Sequence, residues 1–497
     1  MNKPIPVIDL FAGPGGLNEG FSRLGEDQGN PRFATIGSFE MELSAIRTLT
    51  LRAVYRELLR NGGVPQTYYE HIMGEISWDE FIADQRVAQA LETAETHIHQ
   101  VELGSIDDDS DRLILDALDA AEVSMETPWV LIGGPPCQAY SLAGRSRRAN
   151  DTSFAADKKH FLYREYLRII STFAPPVFVM ENVKGLLSSQ SEGSGMFDKI
   201  MRDLREPRNG LRYNVHSLVV DKPPIELRPE DFVIQAERYG VPQKRHRVIL
   251  VGIREGFFDS PLSVGKLTPS KKITLGQALS GMPRLRSGIS RGVVDSQEAW
   301  ESIRSESANE AGGATGPAPK SRGSKSQRRE RNLGGTYGQW IADTNLRDVI
   351  QHQSRNHMVE DLKRYWFAAH KARIDDVSPR LSQFPPHLQP NHKNAGDESH
   401  PFEDRFRVQV ANDASTTIVS HIAKDGHYYI HPDPDQMRSL TVREAARLQS
   451  FPDNYFFVGS QTQQYHQVGN AVPPLLAYQI ARIVADLFDH PDPETRR

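Results

Sequence analysis

The single cysteine of the chain, Cys137, follows an unusual run of residues that restrict the backbone. It ends the sequence GGPPC at residues 133–137, directly after an apolar strand pattern at residues 129–132. A lone cysteine is more often a small buried apolar residue than a nucleophile. A structural cysteine does not need two glycines and two prolines before it, and a thiolate is the best soft nucleophile among the side chains. The pattern therefore favours a nucleophile at the carboxyl end of a strand, where α/β sites lie.

A carboxylate and two guanidinium groups accompany two other strand patterns. Glu181, in MENV at residues 180–183, is interpreted as a general acid or hydrogen-bonding group beside the cysteine, with a salt-bridge partner as the alternative. In QKRHR, strand alternation places Arg245 and Arg247 on one side and His246 on the other. The arginines are candidates for binding a base edge or a phosphate, and a solvated strand start is the alternative.

A glycine-rich turn follows the first strand pattern, in VIDLFAGPGGLNEGF at residues 7–21. Its glycines allow the backbone to turn sharply and approach a ligand, and the next helix N-terminus favours a nucleotide-like or carboxylate group. The turn lacks the GxGxxG spacing of a dinucleotide site. Glu40, past the second strand pattern, suits a hydrogen bond to a ribose hydroxyl, with a solvated carboxylate as the alternative.

The elements that must position these groups follow an α/β pattern over the first 255 residues. Apolar runs separated by helices predict a mainly parallel sheet covered on both faces. The strand candidates are residues 5–10, 33–39, 129–132, 176–180, 213–220 and 247–252. Near the C-terminus, Thr441 and Glu444 predict a capping box that begins a helix at 441–450, and a final helix is expected at 474–488.

The composition changes after about residue 255. Residues 303–335 are rich in Gly, Ser, Pro, Ala and charge and are expected to be a flexible segment. Its basic residues are interpreted either as a solvated linker or as a phosphate-contacting arm: Lys320, Arg322, Lys325, Arg328, Arg329 and Arg331. An amphipathic helical pattern resumes at 346–373.

Taken together and in order, these segments resemble the motifs of the C5-cytosine-specific DNA methyltransferases of bacterial restriction–modification type. VIDLFAGPGG is similar to the family's cofactor motif, GGPPCQAYS to its nucleophile motif, MENV to its acid motif and QKRHR to its QxRxR motif. RSLTVREAARLQSFPDNY and QVGNAVPP are similar to its closing motifs. The resemblance covers about residues 5–41, 98–255 and 402–490.

The resemblance implies a doubly wound, Rossmann-like α/β sheet that binds S-adenosylmethionine, with a smaller target-recognition domain. We expect a catalytic and cofactor-binding domain at residues 1–260, with a helical insertion at about 42–97. The target-recognition domain is expected at 261–435, and the catalytic domain resumes at 436–497.

The activity implied is methyl transfer from S-adenosylmethionine to carbon 5 of a flipped-out cytosine in a specific duplex DNA sequence, leaving S-adenosylhomocysteine. Cys137 would attack C6 of the base, and Glu181 would bind N3 and the amino group. Arg247, with Arg245, would hold the base, and Asn182 would position the nucleophile loop.

Further residues are implied for the two ligands. The cofactor-binding set is Asp9, Phe11, Ala12, Gly13, Gly15, Gly16, Glu40, Met41, Ser105, Ile106, Pro135, Asn470 and Val472. The expected DNA contacts are Gln138, Ser141, Arg145, Arg147, Arg355 and Asn356, of which the last two also fit an ordinary amphipathic helix. The chain departs from the family at Ser105, where an acid is usual and Asp107 is a candidate substitute, and at Met41, where an aromatic residue is common.

Three other classes of protein compete with this interpretation. A Rossmann-type oxidoreductase is disfavoured by the missing GxGxxG and by the Gly-Pro-Pro-Cys loop. A transfer RNA cytosine-5 methyltransferase shares the catalytic residues, but that branch is compact, whereas about 180 residues separate QKRHR from RSLTVREAARLQ here. A regulatory protein without activity is disfavoured by intact Cys137, Glu181 and Arg247.

Composition sets the remaining expectations. The chain has 497 residues, 38% of them hydrophobic, one cysteine and a net charge of −5. These values predict a multidomain globular protein of the reducing cytoplasm, without disulfides, a membrane span or a metal site. DNA attraction must then come from local basic groups. We expect a monomer whose partner is double-stranded DNA, with a cognate restriction endonuclease or another defence protein as a further candidate.

Overall fold

The structure is a computed structural model that describes residues 3–26, 29–136, 162–188, 190–191, 194–258, 263–329, 334–391 and 401–489. The predicted nucleophile Cys137 lies outside these residues. So do four predicted DNA contacts, Gln138, Ser141, Arg145 and Arg147. On the approach to the nucleophile the described residues reach Pro136, the immediate neighbour of Cys137.

An eight-stranded sheet is built from strands within residues 5–254, which belong to what we call the large lobe, residues 3–258 and 436–489. Its strands are β1 (Ile5–Leu10), β2 (Phe33–Glu40), β3 (Ile98–Gln100), β4 (Val130–Gly133), β5 (Val177–Val183), β6 (Tyr213–His216), β7 (Val233–Gln235) and β8 (His246–Arg254). The order is β3-β2-β1-β4-β5-β8-β6, and β7 pairs with β8 off this path. The first five of these are parallel, whereas β8 is antiparallel to its neighbours. The predicted mainly parallel sheet is confirmed.

Helices cover both faces of this sheet. The helices are α1 (Gly16–Arg23), α2 (Leu43–Arg60), α3 (Gln66–Met73), α4 (Trp78–Ile82), α5 (Gln85–Glu95), α6 (Ser110–Ala120), α7 (Leu162–Phe173), α8 (Met196–Arg205), α9 (Leu275–Ala278), α10 (Gln297–Glu310), α11 (Gly335–Ile341), α12 (Val359–Asp375), α13 (Val442–Leu448), α14 (Gln461–Asn470) and α15 (Pro474–Asp489). On one face α1 and α15 pack through Phe21 and Ile480. On the other, α6, α7 and α8 pack through Ile114, Ile169 and Ile200.

Short elements connect the main ones. Single 3-10 turns occur at Lys184–Ser188, Pro224–Glu226, Pro229–Phe232, Ala236–Tyr239, Leu381–Gln383, Pro386–Leu388, Pro401–Asp404, Ser420–Ala423, His427–Tyr429 and Pro434–Gln436. Two-stranded pairs join Gln190–Ser191 to Ser194–Gly195, Gln243–Lys244 to Ser415–Thr416, Gly288–Ile289 to Asn356–His357, and Ser326–Arg328 to Asp348–Ile350.

The predicted C-terminal helices are present. Thr441 caps α13, and its side chain and that of Glu444 form the reciprocal bonds of a capping box, as expected. The stretch Gln461–Asp489, which comprises α14 and α15, is the one helical stretch among the described residues that is long and apolar enough to cross a membrane by length and composition. Since 67% of its apolar window is buried, packing against α1 and the sheet accounts for its apolar character.

The long segment between β2 and β3 folds into helices α2 to α5. Their buried side chains form a separate apolar cluster that includes Leu51, Tyr68 and Phe81. Leu346 and Ile350, more than 250 residues later in the chain, belong to the same cluster. This helical insertion therefore contacts both the large lobe and the segment 343–350.

We call residues 263–435 the small lobe; none of those described contributes a strand to the main sheet, although Leu275, Ile418 and Tyr429 share an apolar core with α13 and α14. The expected flexible segment 303–335 begins inside α10, which Ser296 caps and which buries Trp300, Ile303 and Ala308. That expectation was wrong for residues 303–310, because tertiary packing stabilises a helix in a sequence of modest apolarity. Residues 326–328 also pair with 348–350 as a short ladder.

Candidate active site

The predicted chemical groups converge at one edge of the sheet. Leu10 at the end of β1 lies opposite Gly133 at the end of β4, and Gly133 lies opposite Met180 in β5. Because β8 is antiparallel, its first residues reach the same edge, where Arg247 is paired with Val183. The chain order reverses between β1 and β4, and in open α/β sheets ligands bind at such switch points.

The loop that leads to Cys137 is fitted closely to its neighbours. A Cβ atom at Gly133 would lie 2.7 Å from the carbonyl oxygen of Leu10, so only glycine fits there. A Cβ atom at Gly134 would lie 3.2 Å from Oε2 of Glu181. Asn182 Nδ2 donates to the carbonyl of Pro135 over 3.4 Å. Glu181 and Asn182 therefore contact the loop whose next residues are Pro136 and Cys137.

Glu181 forms an ion pair with Arg247. The Arg247 Nε atom lies 2.7 Å from Glu181 Oε1, and each side chain is only 12% exposed. Arg247 Nη1 also donates to the carbonyl of His246. Burial lowers the pKa of Arg247, and the Glu181 charge partly restores it. The pair is thus held in a poorly solvated rim, where a carboxylate hydrogen-bonds strongly to a substrate.

Arg245 is placed differently from Arg247. It is 2% exposed, and its Nη1 donates to the carbonyls of Ile418 and Gly469, over 2.8 and 3.3 Å. Burial lowers its pKa, and the nearby Arg247 charge lowers it further. His246, between the two arginines, contacts Glu237, and the predicted alternation of sides stays a prediction. In the described structure Arg245 ties two distant segments of the chain to the start of β8.

Gln243 is a buried residue of the same motif to which sequence reasoning gave no role. Its Nε2 donates to the Leu448 carbonyl and to Gln449 Oε1, over 3.1 and 3.0 Å, and its Oε1 accepts from Ile418 N over 2.7 Å. It therefore links α13 to the segment that Arg245 also anchors. All these partners are distant in sequence, so no local signal reveals them.

The glycine-rich turn adopts a strained, open shape. Phe11, Gly13 and Gly15 have φ values of 53°, 55° and 88°, of which the first is costly for a side-chain-bearing residue. No described atom lies within 4 Å of a Cβ built at Gly13. At Gly16 a Cβ would collide with the Val472 carbonyl. The turn is thus open toward the strand edge at Gly13 and tightly packed against the C-terminal segment at Gly16.

The Glu40 carboxylate hydrogen-bonds the backbone of this turn. Its Oε2 accepts a 2.8 Å hydrogen bond from Gly13 N, and its Oε1 accepts from Met41 N and Glu42 N at 2.9 Å. Asp9 lies below, 1% exposed, and burial, with the Glu40 charge, raises its pKa. Asp9 Oδ2 has no hydrogen-bond partner among the described residues. Glu40 therefore holds the backbone of the turn at Gly13, while Asp9 stays buried in β1.

Apolar side chains are exposed beside Glu40. Met41 after β2 is 57% exposed, and Ile106, in the loop after β3, is fully exposed. Ser105 is half-buried, and Asp107 is exposed. Asp108 is folded into its own loop, where it accepts from Gly104 N at 2.6 Å and from Ser110 N at 3.0 Å.

The predicted cofactor residues fit an adenosyl group. A carboxylate that already accepts backbone hydrogen bonds suits ribose hydroxyls, and uncovered apolar side chains suit the faces of adenine. Of the rest of the set, Ala12, Pro135 and Val472 are buried, and Asn470 is exposed at the end of α14. Tyr455, which sequence reasoning missed, donates its hydroxyl to the carbonyl of Pro14 in the turn.

The predicted DNA-reading residues of the small lobe make internal contacts. Arg355 donates to the Ile422 carbonyl at 2.8 Å and to Ser439 Oγ at 3.1 Å, and its guanidinium lies 4.4 Å from the ring centre of Tyr465. Asn356 accepts from Arg322. These contacts favour a packing role for Arg355, whereas Asn356 is exposed.

The basic segment 320–331 divides into paired and exposed groups. Arg322 forms an ion pair with Asp295 at 2.7 Å and Arg329 with Asp453 at 2.8 Å. The exposed basic side chains of the described part are Lys320, Lys325 and Arg328.

An open cavity of about 470 Å³ lies next to the segment that contains Ile418, a hydrogen-bond partner of Arg245. The cavity is lined by Lys244, Arg407, Thr416, Thr417, Val419, His421, Tyr428 and Tyr429.

Comparison with known proteins agrees with this geometry. Residues 69–485 match the model of the C-5 cytosine-specific DNA methylase family. The chain is 32% identical to the type II methyltransferase M.Bpa9945I of Bacillus paralicheniformis, over 97% of this chain and 99% of the relative. It is 27% identical to the type II methyltransferase M.AgeI of Thalassovita gelatinovora, over 96% and 98%. A prophage-encoded Escherichia coli protein, described as a DNA modification methyltransferase, shares the fold with a TM-score of 0.56 and 19% identity, over 98% and 100% of the two chains.

Proposed function

The chain belongs to the C-5 cytosine-specific DNA methylase family, and within that activity we propose that Cys137, Glu181 and Arg247 carry out the reaction on a flipped-out cytosine. It is a DNA (cytosine-5-)-methyltransferase that uses S-adenosylmethionine. The observation that carries the proposal is the buried Glu181–Arg247 ion pair, with Glu181 in contact with the loop that ends at Cys137.

The chemistry explains why these residue types are needed together. Carbon 5 of cytosine is a poor nucleophile, and addition of the Cys137 thiolate to C6 makes C5 an enamine-type carbon. S-adenosylmethionine supplies an electrophilic methyl group to that carbon. Glu181 hydrogen-bonds the N3 edge and stabilises the added state, while Arg247 fixes the carboxylate. Loss of the C5 proton to a base then expels the cysteine thiolate and restores the aromatic ring.

Base flipping follows from the direction of attack. The thiolate must approach C6 from above or below the ring, and stacked neighbours block that approach in a duplex. The flipped base would lie between the Cys137 loop and Glu181. The DNA strand beside it would follow the open cavity that includes Lys244 and Arg407, whose cationic groups would exchange their ion pairs with Asp413 and Asp404 for phosphate.

The small lobe, residues 261–435, is proposed to be the target-recognition domain. None of its described residues contributes a strand to the main sheet, and Arg245 at the start of β8 donates to the carbonyl of its Ile418. Because Arg355 hydrogen-bonds within the protein, we place it in the packing of this lobe and leave base reading to exposed side chains such as Asn356. The names of the relatives support a role in a cytoplasmic restriction–modification system, with a cognate endonuclease as the partner.

Bisulfite sequencing tests the proposed activity and its nucleophile. DNA is taken from a methylation-deficient host that expresses the full chain or its Cys137→Ser variant. We expect protected cytosines in one sequence context for the wild type and none for the variant, because a serine hydroxyl is not appreciably ionised near neutral pH. Modification confined to transfer RNA would contradict the proposal in favour of the RNA methyltransferase alternative.

A further inference from the structure

A buried arginine of the helical insertion, Arg52, binds a buried carboxylate on α1, the helix that follows the glycine-rich turn. Glu19 on α1 and Arg52 on α2 are 1% and 7% exposed. Arg52 binds the Glu19 carboxylate with two hydrogen bonds, Nε to Oε2 at 2.9 Å and Nη2 to Oε1 at 2.6 Å. Arg56 adds a third, from Nη2 to Oε2 at 2.5 Å. This geometry fixes the angle of α1, the helix that follows the turn.

Buried charge of this kind is not explained by stability alone. Removing charges from water is costly, and an apolar replacement of a buried ion pair is often equally stable or more stable. Burial alone would raise the pKa of Glu19, but the Arg52 and Arg56 charges outweigh it and lower the pKa to about 2. Glu19 is therefore ionised at neutral pH, and its value to the protein is the fixed geometry of the cluster.

The same guanidinium also borders the residue that holds the turn. Arg52 lies 4.9 Å from the ring centre of Tyr455, and the Tyr455 hydroxyl donates to the Pro14 carbonyl. A Cβ at Gly15 would lie 2.8 Å from the Leu49 side chain of α2 and 3.0 Å from the Tyr455 hydroxyl. The backbone at Pro14 and Gly15 is thus confined by the insertion and by Tyr455.

Arg52 is also linked through Asn454 to Asp343, which precedes the strand residues 348–350 of the small lobe. Its Nη1 donates to Asn454 Oδ1 at 3.2 Å, and Asn454 Nδ2 donates to Asp343 Oδ2 at 2.7 Å. Tyr69 of the insertion donates to the same Asp343 oxygen at 2.9 Å. The cluster is therefore anchored on both lobes and does not depend on α1 alone.

We propose that Arg52 is a positioning residue for methyl-donor binding. By fixing Glu19 and the Tyr455 ring, it holds Pro14 and Gly15 in the open shape that an adenosyl group needs at Gly13 and Glu40. The inference rests on the proposed cofactor site. It gives the insertion between β2 and β3 a role in the protein, because the insertion then completes the walls of that site.

Binding of S-adenosylhomocysteine to the full chain tests this role by calorimetry. Arg52→Met is expected to weaken binding about tenfold, which corresponds to about 1.4 kcal/mol. Tyr455→Phe removes only the hydroxyl bond to Pro14 and is expected to weaken it severalfold. Affinity for a short duplex of the methylated sequence is expected to stay within about twofold. The KM for S-adenosylmethionine should rise more than kcat falls.

Arg60→Met provides the matched control. Arg60 lies on the same helix, and its ion pair with Glu57 is at the surface, so its loss should leave S-adenosylhomocysteine binding unchanged. Wild-type affinity in both Arg52→Met and Tyr455→Phe, with melting temperatures that show folded protein, would overturn the inference. If Arg52→Met does not fold, the affinity of Tyr455→Phe for S-adenosylhomocysteine alone tests the inference. A wild-type chain that does not bind S-adenosylhomocysteine would instead contradict the proposed cofactor site.

Discussion

At the scale of single residues, the two arginines of QKRHR show how neighbouring like groups acquire different roles. Arg247 forms an ion pair with Glu181 at the strand edge, whereas Arg245 donates to carbonyls of Ile418 and Gly469. The first is placed to act on a substrate through the carboxylate. The second fixes the chain around the site.

Glu181→Gln tests the acid. A neutral amide keeps the size of the side chain but cannot supply the proton or the charge, so kcat is expected to fall by about 10² to 10⁴-fold. Binding of S-adenosylhomocysteine should remain, since Glu40 and not Glu181 borders the glycine-rich turn. Transfer of labelled methyl groups to DNA measures the rate, and turnover near that of the wild type would remove Glu181 from the mechanism.

Arg245→Met tests the anchoring role. It leaves the buried carbonyls of Ile418 and Gly469 unpaired, and we expect the free energy of unfolding to fall by about 1–3 kcal/mol. Lys244→Met is the control, because the ion pair of Lys244 with Asp413 is exposed and should contribute less than about 1 kcal/mol. Urea unfolding measures both, and equal stability of the two variants would contradict the assignment.

The sequence predicts the part of the site that depends on local pattern. The restricted loop before Cys137 and the acid near the end of a strand both follow from spacing. The partners of Gln243, Arg245 and Tyr455 come from distant segments, and no periodicity in a single sequence encodes such pairs.

At the scale of elements, the strands of four or more residues were predicted and the three-residue strands were not. β1 coincides with its predicted range, and β5 and β8 extend theirs by a few residues. β3 and β7 have three residues each, too few to show a period. Helix α10 was missed because Ser, Glu and Ala dilute its apolar face, and Trp300 and Ile303 become evident as core residues only when α12 packs on them.

The basic segment of the small lobe gives an element-scale prediction. Its exposed members, Lys320, Lys325 and Arg328, are available to phosphate, whereas Arg322 and Arg329 are ion-paired within the protein. Replacing the exposed three by Gln should weaken DNA binding at all sequences. The slope of log affinity against log salt should become shallower by up to about 3, at about 0.9 per phosphate contact.

A matched triple variant supplies the control. Arg202, Arg208 and Arg212 are exposed near β6, at the far edge of the sheet from the cofactor turn, and their replacement by Gln should leave the salt slope unchanged. The methylated sequence should be the same in both triple variants, because phosphate contacts carry no base information. A changed sequence context in the first variant would mean that this segment reads bases.

At the scale of the whole molecule, buried histidines link stability to pH. His352 lies between Thr441 Oγ1 at 2.9 Å and the Pro283 carbonyl at 2.8 Å. Burial lowers the pKa of His352 and of His431 to about 4, with the Arg438 charge contributing. Between pH 6.5 and about 4 the unfolded chain therefore binds more protons than the folded one. Stability is full above pH 6.5 and falls as the pH decreases through this window.

Urea unfolding across pH 7.5 to 5 checks this linkage. Each neutral buried histidine should remove up to about 1.4 kcal/mol per pH unit below pH 6.5. His352→Asn is expected to reduce the slope by about one histidine's share, whatever its effect on stability at pH 7.5. A slope identical to that of the wild type would show that His352 titrates normally in the folded protein.

The central claim, covalent catalysis by Cys137 on cytosine in DNA, is tested most directly by a trapped adduct. DNA amplified with 5-fluorodeoxycytidine triphosphate in place of the normal nucleotide contains every target sequence, and fluorine at C5 cannot leave as a proton does. With S-adenosylmethionine present, we predict a denaturation-resistant protein–DNA complex whose peptide mass spectrum places the nucleotide on Cys137, and no complex with Cys137→Ser. An adduct at another residue, or none from an enzyme that methylates ordinary DNA, would contradict the account.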